Sequence, residues 1–367
     1  MRSGRWIGKG KDRLSSDSQT MTTDLEANEL LKNSSRFLAL AFVLLVPFMM
    51  LGCPSNTNKP ADGSATPSVS APPAKSDFDG DRAFEQVRKQ VEFGPRPAGS
   101  AELEKTRTYM IDQLKSYGLN VTTDEFHATT PIGDRKMVNV TAELPGESND
   151  VIIISSHYDT KYFKDIKFVG ANDGGASTGA LMEIARVLAA SKQKPKMTYW
   201  FVFFDGEEAF CFDWDQCHNP NPADPKTPLP DHTYGSRRYV SQLLGKNELK
   251  RVRAMFLLDM MGYKNLQLGR ADLGSAWLTD IVWQTAKQLG YGNVFIDSTE
   301  GVGDDDHGPF LKVSVDAIDI IQLSTYEYWH TKDDTLDKIS GKSLKIVGDA
   351  VIASLPKVEE RLANKPK

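Results

Sequence analysis

Short, almost wholly apolar runs alternate with amphipathic segments over most of this sequence. The runs are rich in β-branched and aromatic residues and read MVNVTAEL, VIIIS, MTYWFVFF, RAMFLLDM and AIDIIQL. Between them, segments such as ASTGALMEIARVLAAS carry apolar residues at helical spacing. Strands without polar alternation are typical of a sheet that helices cover on both faces. The pattern predicts an α/β fold, a three-layer sandwich with a mostly parallel, mixed central sheet.

The N-terminus carries one apolar run of a different kind. Residues 37–51, FLALAFVLLVPFMML, are too few for a typical membrane span and end at Gly52 and Cys53. This predicts a signal peptide over residues 1–52, with Met21 as an alternative start. A small residue followed by Cys resembles a bacterial lipobox, which implies a lipid on Cys53. A simple membrane anchor is the alternative.

Residues 53–77 are rich in Pro, Ser and Ala and have almost no large apolar side chain. Such a segment cannot bury enough surface to offset its ordering entropy, so we expect a disordered tether. The catalytic domain is then expected at 78–367. Together with the lipobox, this predicts an exported lipoprotein, held only by its lipid in the periplasm or at the cell surface and expected to be a monomer. The net charge of −5 gives no basic stripe, so no nucleic acid partner is expected.

Polar residues follow the predicted strands. Ligands of doubly wound sheets bind beyond the carboxyl ends of the strands, so side chains at these ends should meet. The candidates at such ends and loops are His157, Asp173, Glu208, Asp259 and His330. Each alone is equally typical of a turn, a cap or a surface loop. Together, acidic groups directly after buried strands require a cation to neutralise them.

The donor set indicates which cation. Carboxylates and imidazoles without a thiolate are the usual ligands of catalytic zinc sites that keep an open position. Glu207 and Glu208 are adjacent, so one can bind the metal while the other carries protons. We expect Glu208 to be the ligand and Glu207 the proton carrier. Three other histidines, His127, His218 and His232, are expected at the surface.

Six motifs, taken together, identify a family. HYDTK, GANDGGASTGALMEIAR, FFDGEEAF, YGSRRYV, DDDHGPFL and WHTKDDTLDKIS, in this order over residues 80–362, resemble the zinc-dependent M28 peptidase superfamily. This superfamily contains two-zinc aminopeptidases and glutaminyl cyclases (glutaminyl-peptide cyclotransferases). The Thr-Pro-x-Gly segment, the aromatic insertion after the glutamate pair, the Asp-Asp-His loop and the Trp-His pair resemble the cyclases. The resemblance implies conversion of N-terminal glutamine of peptides or proteins to pyroglutamate, with release of ammonia.

The cyclase resemblance also implies roles for individual residues. One Zn²⁺ would be bound by Asp173, Glu208 and His330. Glu207 would be the general base and acid, beside a hydrogen-bonded acid pair formed by Asp259 and Asp305. The implied catalytic residues are Glu207, Asp259 and Asp305, and the implied substrate-binding residues are Trp214, Trp329 and His307.

Two other functions stay open. In an M28-type aminopeptidase, which hydrolyses N-terminal residues, His157 and Asp259 would bind a second zinc ion, bridged by Asp173. A non-catalytic, peptide-binding lipoprotein is the other alternative. One departure from the cyclase pattern concerns the site itself, because Asp319 stands where a histidine is expected.

Two of the three cysteines, Cys211 and Cys217, lie in the Pro- and Asp-rich insertion between Glu208 and Tyr234. In an exported protein such cysteines can pair and stiffen a loop. Whether they do so depends on the separation of their backbones.

Overall fold

The computed structural model of the protein describes residues 73–212, 216–221 and 224–364. The predicted signal peptide, Cys53 with most of the tether, and Trp214 lie outside the described residues. Within the described ranges, no helix combines the length and the apolar character needed to cross a bilayer.

Seven helices and ten strands follow in the described residues. The helices are α1 Gly80–Phe93, α2 Ala101–Ser116, α3 Ser177–Ala189, α4 Tyr234–Gly245, α5 Ala276–Gln288, α6 Gly308–Lys312 and α7 Gly341–Ala363. The strands are β1 Asn120–Thr130, β2 Gly133–Leu144, β3 Ser148–His157, β4 Met197–Phe204, β5 His218–Asn219, β6 Leu229–Pro230, β7 Val252–Leu258, β8 Leu268–Ala271, β9 Phe295–Glu300 and β10 Ala317–Ile320.

Six strands form the central sheet in the order β1-β2-β4-β3-β7-β10. The pairs β4–β3, β3–β7 and β7–β10 are parallel, and β1–β2 and β2–β4 are antiparallel. The predicted mixed, mostly parallel sheet is confirmed. The antiparallel pairs lie at one side, where a hairpin joins β1 to β2.

Helices cover both faces of the sheet, which explains the lack of polar alternation in its central strands. Ile152 and Ile154 in β3 belong to the core that includes side chains of α1, α3, α5 and α7. Val151 and Ile153 belong to the opposite core, with side chains of α4 and α6. Because each face of β3 is buried, every position in its centre needs an apolar side chain.

Helix α2 shows how local sequence sets the ends of an element. The Ser100 side chain accepts a hydrogen bond from the backbone N–H of Leu103, and two glutamates occupy the first turn. The helix ends before Gly118, which adopts a φ of +81°, a conformation that favours glycine.

The sequence did not predict β1, β5, β6, β8 or β9. β1 is an edge strand whose residues are mostly exposed or half-buried, and its sequence NVTTDEFHATT has few apolar residues to reveal a strand. At the N-terminal boundary, Ser76 lies inside the predicted tether but donates hydrogen bonds from its N–H and Oγ to Oδ1 of Asp349 in α7. The folded domain therefore includes Ser76, which lies before the predicted domain start at residue 78.

Candidate active site

The candidate ligands meet at the carboxyl edge of the parallel strands. His157 ends β3, Asp259 directly follows β7, and the pair Glu207 and Glu208 follows β4. Asp173 reaches the same edge from the turn before α3. His330 comes from the loop after β10, so parallel topology brings residues distant in sequence to one place.

The three predicted zinc ligands form one compact cluster. Ligand atoms of Asp173, Glu208 and His330 all lie within 4.8 Å of one another. His330 Nε2 is 3.2 Å from Glu208 Oε2 and 3.5 Å from Asp173 Oδ2. Ligands at about 2.0–2.2 Å from a tetrahedral zinc lie roughly 3.3–3.6 Å from one another, so these separations fit.

The surroundings of this cluster also call for a cation. Asp173 Oδ2 and Glu208 Oε1 are buried without a hydrogen-bond partner among the described residues. The nearest lysine, Lys161, keeps its Nζ 3.9 Å from Glu208 Oε2 and donates instead to the carbonyl of Ala209. Buried carboxylate oxygens left without partners are costly unless a charge neutralises them. The residues present therefore fit a divalent metal.

A second set of possible ligands, His157, Asp173 and Asp259, shares Asp173 with the first set. His157 Nε2 is 3.3 Å from Asp173 Oδ1 and 3.1 Å from Asp259 Oδ1. The two oxygens of Asp173 thus face two different histidines, as a bridging carboxylate would. Burial alone lowers the pKa of His157, but the charge of Asp259 and contacts with Asp159 and Asp173 outweigh it and raise the pKa well above its usual value.

The Glu207–Glu208 pair is held by a sharp turn and by one carboxylate. Gly206 has a φ of +73°, and a Cβ there would lie 2.6 Å from the sulfur of Met137. Asp159 accepts hydrogen bonds from the backbone N–H groups of Glu207 (3.1 Å) and Glu208 (3.4 Å). Adjacent side chains on this turn point differently, so Glu208 joins the ligand cluster and Glu207 belongs to neither ligand set.

A cavity of about 410 Å³ opens above the first cluster. Asp173, Glu208 and His330 form part of its wall, together with the three predicted catalytic acids, Glu207, Asp259 and Asp305. Burial raises the pKa of Glu207 well above its usual value, and the neighbouring Glu208 raises it further. A buried glutamate beside a set of metal ligands can both take and return a proton.

Among the described residues, the hydrogen bond expected between Asp259 and Asp305 is not formed. Carboxylate oxygens of Asp305 and of Asp319 in β10 lie within 4.8 Å of each other, and both oxygens of Asp319 are buried without a hydrogen-bond partner among the described residues. Burial raises the pKa of both carboxyls well above the usual value; the charge of Asp319 raises the pKa of Asp305 further, and the charge of Asp259 raises the pKa of Asp319. Asp259 instead accepts from His157 and from the N–H of Met260. Asp319, which replaces the expected histidine, therefore extends the acidic group by one carboxyl.

Trp329 lies at the cavity wall and stacks on His330. Their ring centroids are 4.2 Å apart with an interplanar angle of 26°. Trp329 is 44% exposed, which excludes a role as a core aromatic. His330 has a φ of +54°, rare for a residue with a side chain, and such strain is found most often at functional sites.

His307 and His232 do not lie where the sequence predicted, and the position of Phe212 was not predicted. His307 is fully buried just before α6 and does not line the cavity, contrary to its predicted contact with substrate. His232, predicted at the surface, is only 6% exposed and lines the cavity. Phe212 is 70% exposed at the cavity wall. His232 and Phe212 belong to the insertion between Glu208 and Tyr234, whose sequence has no periodic pattern that would predict which residues are buried.

Cys211 and Cys217 form a disulfide, with Cα atoms 6.1 Å apart. The N–H of Cys211 also donates to Asp231 Oδ2 at 2.9 Å. These bonds fix the start of the insertion, and Phe212 with it, beside the cavity.

The fold and this cavity define a class: an α/β enzyme with a candidate metal centre at the carboxyl edge of its sheet. Peptidase family M28 matches residues 139–355, more than half of the chain, and the chain belongs to this family. It is 27% identical over 270 residues to the glutaminyl-peptide cyclotransferase of Drosophila melanogaster, covering 67% of this chain and 72% of the relative.

Solved structures of both enzyme types resemble the protein. A glutaminyl cyclase from an Acidobacteriales bacterium has a TM-score of 0.69 at 34% identity, covering 83% of this chain and 100% of that one. A leucine aminopeptidase precursor from Bacteroides thetaiotaomicron has a TM-score of 0.68 at 28% identity, covering 77% and 98%. The fold alone therefore does not separate cyclase from aminopeptidase.

Proposed function

We propose that the protein is a glutaminyl-peptide cyclotransferase that uses one zinc ion, bound by Asp173, Glu208 and His330. The observation that carries this proposal is the composition of one cavity. It combines the ligand cluster with a glutamate outside both ligand sets, Glu207, and with a half-exposed indole, Trp329, on the wall. The similarity to glutaminyl cyclases supports the same activity.

The reaction needs little beyond positioning, because an N-terminal glutamine contains its own nucleophile. The cavity would fold the side chain so that the α-amine faces the γ-carboxamide carbon. A bound zinc ion supplies polarisation of the amide oxygen. The new C–N bond closes the ring, and the bond to the amide nitrogen breaks.

Glu207 would take a proton from the attacking amine and give it to the departing nitrogen, which leaves as ammonia. Its raised pKa suits a group that must do both steps. Asp305, next to Asp319, can hold the leaving nitrogen through hydrogen bonds. Trp329 would cover the apolar part of the glutamine side chain and keep water away from the carbonyl.

One observation favours the second candidate, an aminopeptidase. His157, Asp173 and Asp259 have separations that also fit a metal, and Asp173 faces both clusters. The two sets of residues would hold two metal ions, which would supply activation of a water molecule for hydrolysis of the first peptide bond.

Product analysis and metal counting on one sample separate these functions. The purified protein, supplied with zinc, would be incubated with a glutaminyl and a leucyl model peptide. Ammonia and a pyroglutamyl peptide, with one zinc per chain, support the cyclase. Free leucine with two zinc ions per chain supports the aminopeptidase. If neither product forms and no zinc is bound, the result supports a non-catalytic peptide-binding protein.

We also propose that the protein is exported and carries a lipid on Cys53. The Cys211–Cys217 disulfide supports this, because disulfides persist mainly in oxidising compartments. Mass spectrometry of the mature N-terminus should find a lipidated Cys53, and Cys53→Ala should release the protein from membranes. A mature chain that retains residues before Cys53 would contradict the proposal.

A further inference from the structure

The turn Ala171–Ala176, which carries Asp173, cannot be held by regular helix bonds. Asp173 has φ −77° and ψ 108°, and the next residue, Gly174, has a φ of +74°. The turn is also tightly enclosed, because a Cβ on Gly174 would lie 2.7 Å from the carbonyl oxygen of Asp159 and 3.0 Å from the ring of His157. Something outside the turn must therefore set its shape.

One such group is Arg96, whose guanidinium is fully buried on one side of the turn. Its Nη1 donates to the carbonyl of Val169 at 2.6 Å and its Nη2 to that of Gly170 at 2.9 Å. Its Nε donates to the carbonyl of Tyr158 at 3.1 Å. Arg96 thus ties the segment after His157 to the start of the turn.

The guanidinium stays charged in this place. Burial lowers the pKa of Arg96 to about 10, and the charges of Asp334, Asp173 and Asp159 counteract that effect. A cation close to these acids offsets part of their mutual repulsion.

The second group is Asp334, also fully buried, four residues after His330. Its Oδ1 accepts from the N–H of Asn172 at 2.8 Å, and its Oδ2 accepts from the N–H of Asp173 itself at 3.1 Å. The hydroxyl of Tyr326 donates to Oδ1 at 2.6 Å. The loop that brings His330 therefore also holds the backbone of the other ligand.

We propose that Arg96 and Asp334 are positioning residues for the metal centre: Arg96 holds the carbonyls of Val169 and Gly170 just before the turn, and Asp334 holds the amides of Asn172 and Asp173 within it. This inference rests on the proposed zinc site. Asp334 makes the placement of Asp173 depend on the loop of His330, so the two ligands are set together. Partners that orient metal ligands typically contribute 10–100-fold to metal affinity.

Two substitutions that keep size test the proposal. Asp334→Asn leaves only one oxygen to accept from two amides, and Arg96→Lys offers a single nitrogen in place of the three that donate to three separate carbonyls. We expect each to raise the zinc dissociation constant about 10–100-fold, measured by competition with a chromophoric chelator. The absorption bands of the Co²⁺-loaded variants should also shift. If the two residues hold one turn, the double variant should lose less than the product of the single effects.

Arg253→Lys is the matched control. Arg253 is also largely buried and pairs with Asp150 at 2.8 Å, but it lies at the start of β7, at the opposite edge of the sheet. Its zinc affinity should equal that of the unaltered protein. Circular dichroism and thermal unfolding of every variant without added metal would show whether it folds.

Should Asp334→Asn fail to fold, Tyr326→Phe provides a milder test, because it removes one hydrogen bond to Asp334. We expect about a three- to tenfold weaker zinc affinity. Folded variants with unaltered affinity and cobalt spectra would overturn the positioning role while the proposed function stood. An unaltered protein that binds no zinc, or cyclises no glutaminyl peptide, would instead refute the proposed function.

Discussion

Replacing Trp329 with Ala tests whether this indole forms part of the substrate site. Trp329 is 44% exposed, so its truncation leaves little internal cavity. The truncation mainly removes the stack on His330, and such aromatic pairs contribute about 0.5–1.5 kcal/mol. We therefore expect the free energy of unfolding to fall by only about 1 kcal/mol.

Catalysis should suffer more than stability. A glutamine side chain has two methylene groups, each worth about 0.8 kcal/mol when buried. If Trp329 covers most of that surface, its loss weakens binding of the transition state by about 1–2 kcal/mol, or about 5- to 30-fold in kcat/KM. Zinc content should not change, because the ligand set is intact.

Ammonia release from a glutaminyl peptide, with zinc measured on the same preparation, checks this prediction. Leu244→Ala is the control, since Leu244 is a similarly exposed apolar side chain on α4, away from the cavity. It should keep the original kcat/KM. A Trp329→Ala protein with unaltered kcat/KM, or one that loses its zinc, would refute the reasoning.

Three further predictions concern other parts of the molecule. Glu207→Gln should lower kcat about 10²–10⁴-fold and keep the metal. A variant that loses bound zinc in proportion to its activity would show instead that Glu207 is a metal ligand. Cys211 and Cys217 should be alkylated only after reduction; alkylation of both in the native protein would exclude the disulfide. Burial lowers the pKa of His307 to about 4, so the folded state favours its neutral form. The unfolded state binds this proton more tightly than the folded state does. The contribution of neutral His307 to the free energy of unfolding, about 3 kcal/mol, is therefore complete above pH 6.5 and is lost as the pH falls towards 4. His307→Gln should flatten this decline in the free energy of unfolding; an unaltered pH dependence would contradict it.

The central strands were predictable because they are buried on both faces. MTYWFVFF predicts β4 with the bounds Met197–Phe204 that the structure has. β1 escaped detection for the opposite reason, since an edge strand needs few apolar residues. Propensity and periodicity thus identify what the core requires and say little about a strand that solvent can reach.

The candidate ligands were predictable from topology, because parallel strands bring their carboxyl ends together. Contacts that depend on tertiary approach were not. The approach of Asp305 to Asp319 joins a loop to β10, and His232 is buried within the insertion between Glu208 and Tyr234. The hold of Asp334 on the Asp173 turn depends on a fold contact between residues 161 positions apart. No local pattern carries such information.

Anomalous diffraction at the zinc edge from crystals of the zinc-loaded protein would test the central claim most directly. The account predicts one strong peak about 2.0–2.2 Å from carboxylate oxygens of Asp173 and Glu208 and from Nε2 of His330. No peak at that position would contradict the proposed centre. A second peak of equal height between His157 and Asp259 would contradict the single-zinc cyclase and favour the aminopeptidase.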